Sequence, residues 1–322
     1  MLDVLTLGEL LIDFSPVVIP SRSDVLLQMN AGGAPANVAV QLARLGLKTS
    51  FVGKVGKDKF GQFLKKKLEA NHVCTSNLIL DPNFDTTLAF VTLNEDGERD
   101  FTFFRRPGAD TQLQLEEVDL QLIEDCKIFH FGSLSLTTEP CRSTLLKTLE
   151  YAKEKNKIIS YDPNWRPLLW SSEQYGIDSM RLGLEFCQIL KVSEEELKLI
   201  TQTKNIQTGI AQLVGMGIPL IIVTLGADGS IVVFKNQIKK IPTYKTNVID
   251  TTGAGDSFFG AFLYQIIRAN RLLLDLSIEE ITYFAQFANA AGAICASKMG
   301  AIPAMPSEAE IIHCMNNIPR MA

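Results

Sequence analysis

The chain has 322 residues, of which 46% are hydrophobic and 21% charged, with 22 glycines and 13 prolines scattered along it. That is enough chain for a sizeable core, and the composition excludes collagen-like, coiled-coil, low-complexity and disordered classes. Thirty-one basic against 36 acidic residues leave a net charge of −5, and no basic block could neutralise a row of phosphates, so nucleic acid is excluded as a partner.

Met1 to Glu9 has no positive start, and Asp3 and Glu9 interrupt its apolar run. Nowhere do about 18 uncharged apolar residues follow one another, so no membrane association and a cytoplasmic location are expected. Cys74, Cys126, Cys141, Cys187, Cys295 and Cys314 form no C-x-x-C pair, and there are three histidines. Disulfide frameworks and Cys/His zinc sites are excluded on that spacing.

Along the chain, short apolar runs alternate with stretches of helical period. Val4 to Leu7, Phe51 to Val55, Ile128 to Phe131, Ile158 to Tyr161, Ile189 to Val192 and Leu220 to Leu225 read as buried strands. Asn37 to Leu45, Lys59 to Ala70, Arg142 to Lys153 and Ile206 to Met216 carry apolar residues at three- and four-residue spacing. The fold class is therefore α/β, with a mainly parallel central sheet flanked by helices. Ligands of such sheets bind beyond the carboxyl ends of the strands.

Thr86 to Leu93 and Arg99 to Phe104 alternate like strands around Asn94-Glu95-Asp96-Gly97 and predict a hairpin at about 86–106. It is either a lid or an antiparallel edge of the same sheet; Leu88, Phe90, Phe101 and Phe103 are available for an apolar face. Ser230 to Lys235 and Gln237 to Pro242 suggest a second antiparallel patch, and from Ala254 onward the pattern is helical. No repeat or flexible linker interrupts the chain, so residues 1–322 are read as one domain with the hairpin inserted.

The most informative stretch is Asp250-Thr251-Thr252-Gly253-Ala254-Gly255-Asp256, followed by the apolar period of a helix. Small residues at 253 to 255 let backbone N–H groups converge at a helix N-terminus, an arrangement that holds an anion such as phosphate. Asp256 in that first turn would repel phosphate. It is read either as a catalytic base for a hydroxyl attacking phosphorus or as a carboxylate complementing the helix dipole. A Walker P-loop is absent, and Gly253 and Gly255 lack the third glycine of a dinucleotide fingerprint. Upstream, Gly32-Gly33 leads into a second helix, with Asn37 placed at its start as a cap or, with Asp13, as a ligand for sugar hydroxyls.

The pair Gly32-Gly33-x3-Asn37 and Asp250 to Asp256 resembles the two signatures of the ribokinase-like (PfkB) carbohydrate kinases. The resemblance runs on through Gly8-Glu9, Val52 to Gly56, Ser160 to Arg166, Lys191 to Glu196, Thr224 to Gly229 and Gly300 to Pro306. Within the family the chain is most similar to fructokinases, in Gly33 to Ala39, Ala109-Asp110 and Ser193 to Glu196.

The resemblance implies a cytoplasmic enzyme that transfers the γ-phosphoryl of Mg-ATP to a sugar, turning D-fructose into D-fructose 6-phosphate. Asp256 would be the base, and Gly253, Ala254 and Gly255 the anion hole. Asp13, Gly32, Gly33, Asn37, Arg105 and Arg166 would hold the sugar, Arg105 from a lid or as part of a solvated one. Lys191, Ser193, Thr224, Gly226, Gly229 and Asn289 would bind nucleotide, although Asn289 also reads as a helix residue filling a notch. Glu196 would order magnesium-bound water, and Asp250 with Thr252 a potassium-like ion beside Gly300. Ser193 departs from the asparagine that ribokinases place before that glutamate, and Ala304 from a serine some of them use for the ion. The lid is also a candidate homodimer contact. Alternatives are a kinase for 2-keto-3-deoxygluconate or another small sugar, and a non-catalytic sugar- or nucleotide-binding regulator.

Overall fold

The computed structural model describes residues 2–17, 26–93 and 99–321. The first half of the chain contains β1 (Val4–Leu7), β2 (Leu11–Val17), β3 (Leu26–Gly32), α1 (Ala34–Arg44), β4 (Thr49–Gly56) and α2 (Lys59–Ala70). Short strands β5 (Val73–Cys74) and β6 (Leu78–Asp81) precede β7 (Leu88–Leu93), β8 (Arg99–Phe104), α3 (Leu120–Asp125), β9 (Ile128–Gly132) and α4 (Cys141–Glu154). The second half contributes β10 (Ile158–Asp162), α5 (Glu173–Leu184), β11 (Ile189–Ser193), α6 (Glu194–Thr201), α7 (Ile206–Gly215) and β12 (Leu220–Thr224). It closes with β13 (Ser230–Phe234), β14 (Gln237–Ile241), α8 (Ala254–Ala269), α9 (Ile278–Ala296) and α10 (Glu308–Asn317).

The large sheet has the order β14-β13-β12-β11-β10-β9-β1-β4-β5, with β6 also on β4. All its neighbours pair in parallel except β12 with β13 and β13 with β14, as the alternation of strand and helix predicts. Its strands are apolar on both faces because both are covered. Val4, Ile128, Ile189 and Leu220 pack with Val38 and Leu42 of α1 and with α8 and α9. Leu5, Leu7, Phe129, Phe131, Ile159 and Tyr161 face the opposite way, onto α4 to α7. The outer strand β14 exposes Lys239 and Lys240, charges that discourage edge-to-edge pairing.

The hairpin is half of a separate four-stranded sheet, β3-β2-β7-β8, rather than an edge of the main one. The sequence signal for its other half is poor: β2 contains Pro16, and a proline normally argues against an inner strand. It is tolerated because β7 pairs only with Ile12 to Phe14, leaving Pro16 beyond that ladder. The register also corrects the apolar face. Leu88 lies opposite Phe104 and Ala89 opposite Phe103, while Phe101 pairs with Val91. Cross-strand partners share a face, so Phe104, and not Phe103, joins Leu88 and Phe90. Phe90 stacks on Phe14 with ring centroids 4.8 Å apart and meets Phe104 edge-on at 5.4 Å. The predicted turn at Asn94 to Gly97 lies outside the described residues. Among those described, no helix is long and apolar enough to cross a membrane.

Candidate active site

The loops following parallel strands β1, β10, β11 and β12 converge on the same end of the large sheet as the turn that opens α8, where the topology of such sheets places ligands. Gly253 stands at the N-cap of α8 with φ 76°, a left-handed conformation that glycine adopts at no steric cost, and has no side chain to cap the helix. No side chain caps the first-turn amides, although that of Ala254 donates to the Thr251 carbonyl at 3.2 Å. Gly253 also makes room for Ala301, since a Cβ there would stand 2.6 Å from the Ala301 Cβ.

Asp256 is buried in that first turn, and its Oδ2 accepts a hydrogen bond from Asn37 Nδ2 at 2.8 Å. Burial pushes its carboxyl above the ordinary aspartate value; Asn37, the charges of Lys191 and Arg166, and the Asn164 amide oppose that rise. α1 begins at Ala34, with Gly33 as its N-cap. Asn37 is therefore not a cap but lies a turn inside the helix, where its amide is free to reach Asp256.

Below the Gly253–Gly255 turn lies a group whose partner the sequence does not reveal. Lys191 is buried, its Nζ 2.8 Å from Asp162 Oδ2, and a Cβ on Gly255 would stand only 3.0 Å from that Nζ. The ammonium thus sits directly beneath the glycine turn. Burial works against its charge, but Asp162, Glu196 and Asp256 outweigh it and raise the lysine's pKa. Asp162 Oδ1 is buried with no hydrogen-bond partner among the described residues.

Ser193 and Glu196 are explained first by local structure. Ser193 caps α6, accepting from Glu196 N at 3.1 Å and donating its own N–H to Glu196 Oε2 at 2.8 Å, which makes a reciprocal capping box. Glu196 Oε1 accepts the Trp165 N–H at 2.8 Å, joining this helix to the loop after β10. Thr224 ends β12, and its hydroxyl reaches Val192 O at 3.4 Å. Gly226, at φ 57°, faces open space, whereas Gly229, at φ 88°, packs so closely that a Cβ would stand 2.1 Å from Ile241 O. The Asn289 amide donates to Ile241 O at 3.2 Å, so it does fill the notch between α9 and the end of β14.

Asp13 lies on β2 opposite Asn30 of β3, within the small sheet. A Cβ on Gly32 would stand 2.0 Å from Asp13 Oδ2, so Gly32 clears the space this carboxylate occupies. Burial pushes Asp13 up to about 6, with Arg166 opposing and Asp256 adding to the shift. Arg166 is exposed, its guanidinium donating to Trp165 O at 2.8 Å and Asn164 Oδ1 at 3.3 Å, at the mouth between the two aspartates.

Arg105 corrects the sequence reading. It is neither an arm over the site nor part of a solvated lid: its side chain is 6% exposed and forks onto Asp110, with Nε 2.8 Å and Nη2 2.7 Å from Oδ2. It also donates to Thr137 Oγ1 and Leu134 O. Asp250 is brought to Gly300 as expected. Its Oδ1 accepts from the N–H and hydroxyl of Thr252 at 2.9 and 2.7 Å, and its Oδ2 accepts the Gly300 N–H at 2.9 Å. Among the described residues, no cluster of three or more His, Cys, Asp or Glu side chains could hold a metal ion by itself.

Two features were missed by sequence reasoning. Gln41 accepts from Ser257 Oγ at 2.9 Å and donates to Pro306 O at 3.0 Å, tying α1 to α8 next to Asp256. Glu9 bonds the Ala34 amide at 2.8 Å. Only the four-residue step from Asn37 to Gln41, which places both on one helix face, hinted at the first.

Comparison with known proteins agrees with this geometry. The pfkB family carbohydrate kinase profile matches residues 1–308. Probable fructokinase-2 of Arabidopsis thaliana is 42% identical over 316 residues, covering 96% of this chain and 94% of its own. Fructokinase-1 of Oryza sativa subsp. japonica is 42% identical over 318 residues, covering 98% of each. Among solved structures, a fructokinase with bound ATP from Xylella fastidiosa superposes with a TM-score of 0.90 at 33% identity, covering 98% of each chain. A fructokinase from Vibrio cholerae O395 with fructose, ADP and calcium ion bound superposes with a TM-score of 0.88 at 33% identity, covering 98% of this chain and 99% of that one.

Proposed function

This chain belongs to the pfkB family of carbohydrate kinases, and on that premise we propose that it phosphorylates D-fructose at the 6-hydroxyl with ATP. The observation that carries the reading is the buried Asp256 carboxylate standing in the first turn of an uncapped helix N-terminus. A carboxylate there complements the helix dipole, but at a helix start that only held phosphate it would repel the ligand.

In this reading the sugar lies between Asp13, the Gly32–Gly33 turn and Asn37, with Arg166 at the mouth. Its hydroxyl oxygen attacks the γ-phosphorus; the bond from that phosphorus to the β-bridging oxygen breaks, ADP leaves, and the hydroxyl proton passes to Asp256. An aspartate is a weak base for an alcohol. The loose transition state of phosphoryl transfer asks chiefly for alignment, which a rigid helix start supplies. The amides of Gly253, Ala254 and Gly255 meet the charge on the transferring group, and Lys191 beneath them adds a full positive charge.

The nucleotide runs past Thr224, Gly226 and Gly229, the open face at Gly226 giving it room, with Ser193 and Asn289 shaping its bed through backbone contacts. Magnesium bound with the nucleotide neutralises phosphate charge. Glu196, whose two oxygens already hold backbone amides, would meet it through water. A potassium-like ion is assigned to the Asp250, Thr252 and Gly300 corner. We read residues 1–322 as one catalytic unit, with the small sheet as its lid and as the surface through which two copies pair. Sedimentation at micromolar concentration tests the pairing, a single-subunit mass excluding it.

The decisive experiment is ADP release by the purified protein against fructose, ribose and 2-keto-3-deoxygluconate, with magnesium and with or without potassium. Fructose should have the highest kcat/KM. A preference for ribose or ketodeoxygluconate would move the assignment within the family, and nucleotide binding without any sugar-dependent turnover would make the chain a regulator.

A further inference from the structure

Glu9 occupies the corner between β1 and β2, and both its main chain and its side chain grip the Gly32–Gly33 turn. Its Oε1 accepts the N–H of Ala34, the first amide of α1, which has no partner within the helix. Gly33, at φ 117°, lies against the same corner: a Cβ there would stand 2.3 Å from the Glu9 carbonyl oxygen. The glutamate is 3% exposed, and its Oε2 is buried with no hydrogen-bond partner among the described residues.

Beside it lies the base of the small sheet. Arg105 follows β8, and its fork onto Asp110 is joined by Thr87, whose hydroxyl donates to Asp110 Oδ1 at 2.5 Å just before β7 begins. The Arg105 charge acts on Glu9 and opposes the burial that pushes its carboxyl up to about 7. A helix end that needed only an acceptor could take it from a hydroxyl or an amide. A buried carboxylate with one oxygen unmatched costs more than either, unless its length and placement serve something else.

We propose that Glu9 is a positioning residue for the sugar: by reaching the Ala34 amide from the β1–β2 corner, beside the Arg105–Asp110 clasp, it holds the Gly32–Gly33 turn in the pose that receives substrate. This rests on the sugar-kinase reading above, and the part doing the work is reach rather than charge.

Two substitutions separate these. Glu9→Asp keeps the charge but withdraws the acceptor by one methylene, whereas Glu9→Gln keeps the reach and removes the charge. Steady-state kinetics with fructose and ATP should show sugar KM raised about tenfold or more in Glu9→Asp with ATP KM within about twofold, a loss of one hydrogen bond's worth of sugar binding. Glu9→Gln should stay within about threefold of the parent in both. Ala34→Pro removes the donor at a helix position that accepts proline, and its ring carbon, in place of the N–H, pushes the Glu9 carboxylate back; it provides the test should Glu9→Asp not fold and should reproduce the sugar-selective rise. The proposal is overturned if the sugar KM of Glu9→Asp, or of Ala34→Pro in its place, is unmoved while Tm falls, if both KM values rise together, or if Glu9→Gln is impaired as much as Glu9→Asp. A parent protein that turns over no sugar would instead defeat the activity reading, a separately visible failure.

Discussion

Asn37 and Asp256, 219 residues apart in sequence, meet through a 2.8 Å hydrogen bond that joins the helix after the Gly32–Gly33 turn to the helix that begins after Gly253. The donor is neutral and the acceptor a buried carboxylate, so the bond favours the ionised form of Asp256 against the burial that disfavours it. Removing the amide in Asn37→Ala should raise the Asp256 pKa further. The acid limb of kcat/KM against pH should move to higher pH than in the parent, with turnover reduced at neutral pH. A limb that stays in place would mean that Asn37 does not tune this carboxylate.

Asp256→Asn should cut kcat by at least about a hundredfold, the low end for a positioned general base, while nucleotide binding by calorimetry persists. Stability should change in the opposite sense. The folded pKa of Asp256 is raised above its ordinary value of 3.8, so the native state holds the proton more tightly than the unfolded chain. The stability this gives is present at low pH and is lost as pH rises through the raised value. At pH 7 the asparagine variant should therefore have the higher Tm, and near pH 3 the two should converge. Thermal unfolding at both pH values checks the sign.

Lys191 and Asp162 form a buried pair, and removing one member strands the other. Lys191→Met should destabilise the protein, most at and above neutral pH, because Asp162 loses its counter-charge and must hold a proton to stay buried. Asp162 is already pushed up to about 7 by burial, with Lys191 opposing. Without the lysine it should take up a proton readily, and the deficit measured by urea unfolding should shrink towards pH 5. Turnover should fall as well, because the charge under Gly255 is gone.

Glycines in the two ligand loops should respond differently. Gly229→Ala forces a methyl group towards Ile241 O at a left-handed φ, and should lower stability by about 1–3 kcal/mol. Gly255→Ala meets only the Lys191 ammonium, the end of a flexible side chain. Its Tm should stay near the parent's while kcat drops, since the ammonium must move from beneath the anion turn. Paired measurements of Tm and kcat distinguish the two.

Much of the short-range structure was legible in the amino-acid order. Apolar runs marked the parallel strands, three- and four-residue spacing marked Lys59–Ala70 with its observed bounds, and the small residues at 253 to 255 marked the anion turn, because pleat, helical period and glycine's freedom act within a few residues. Resemblance between motifs then indicated a kinase and the residues around Asp256. The tertiary structure decided which side chains face each other: Asn37 became the partner of Asp256 instead of a cap, Arg105 a clasp on Asp110 instead of a cover, and Lys191 a charge under Gly255. It also built the small sheet from Leu11–Val17 and Leu26–Gly32, where Pro16 hid a strand that depends on long-range pairing. Such contacts join residues tens to hundreds of positions apart, and their geometry is set by how strands order themselves in a sheet, a property that no local window of sequence contains.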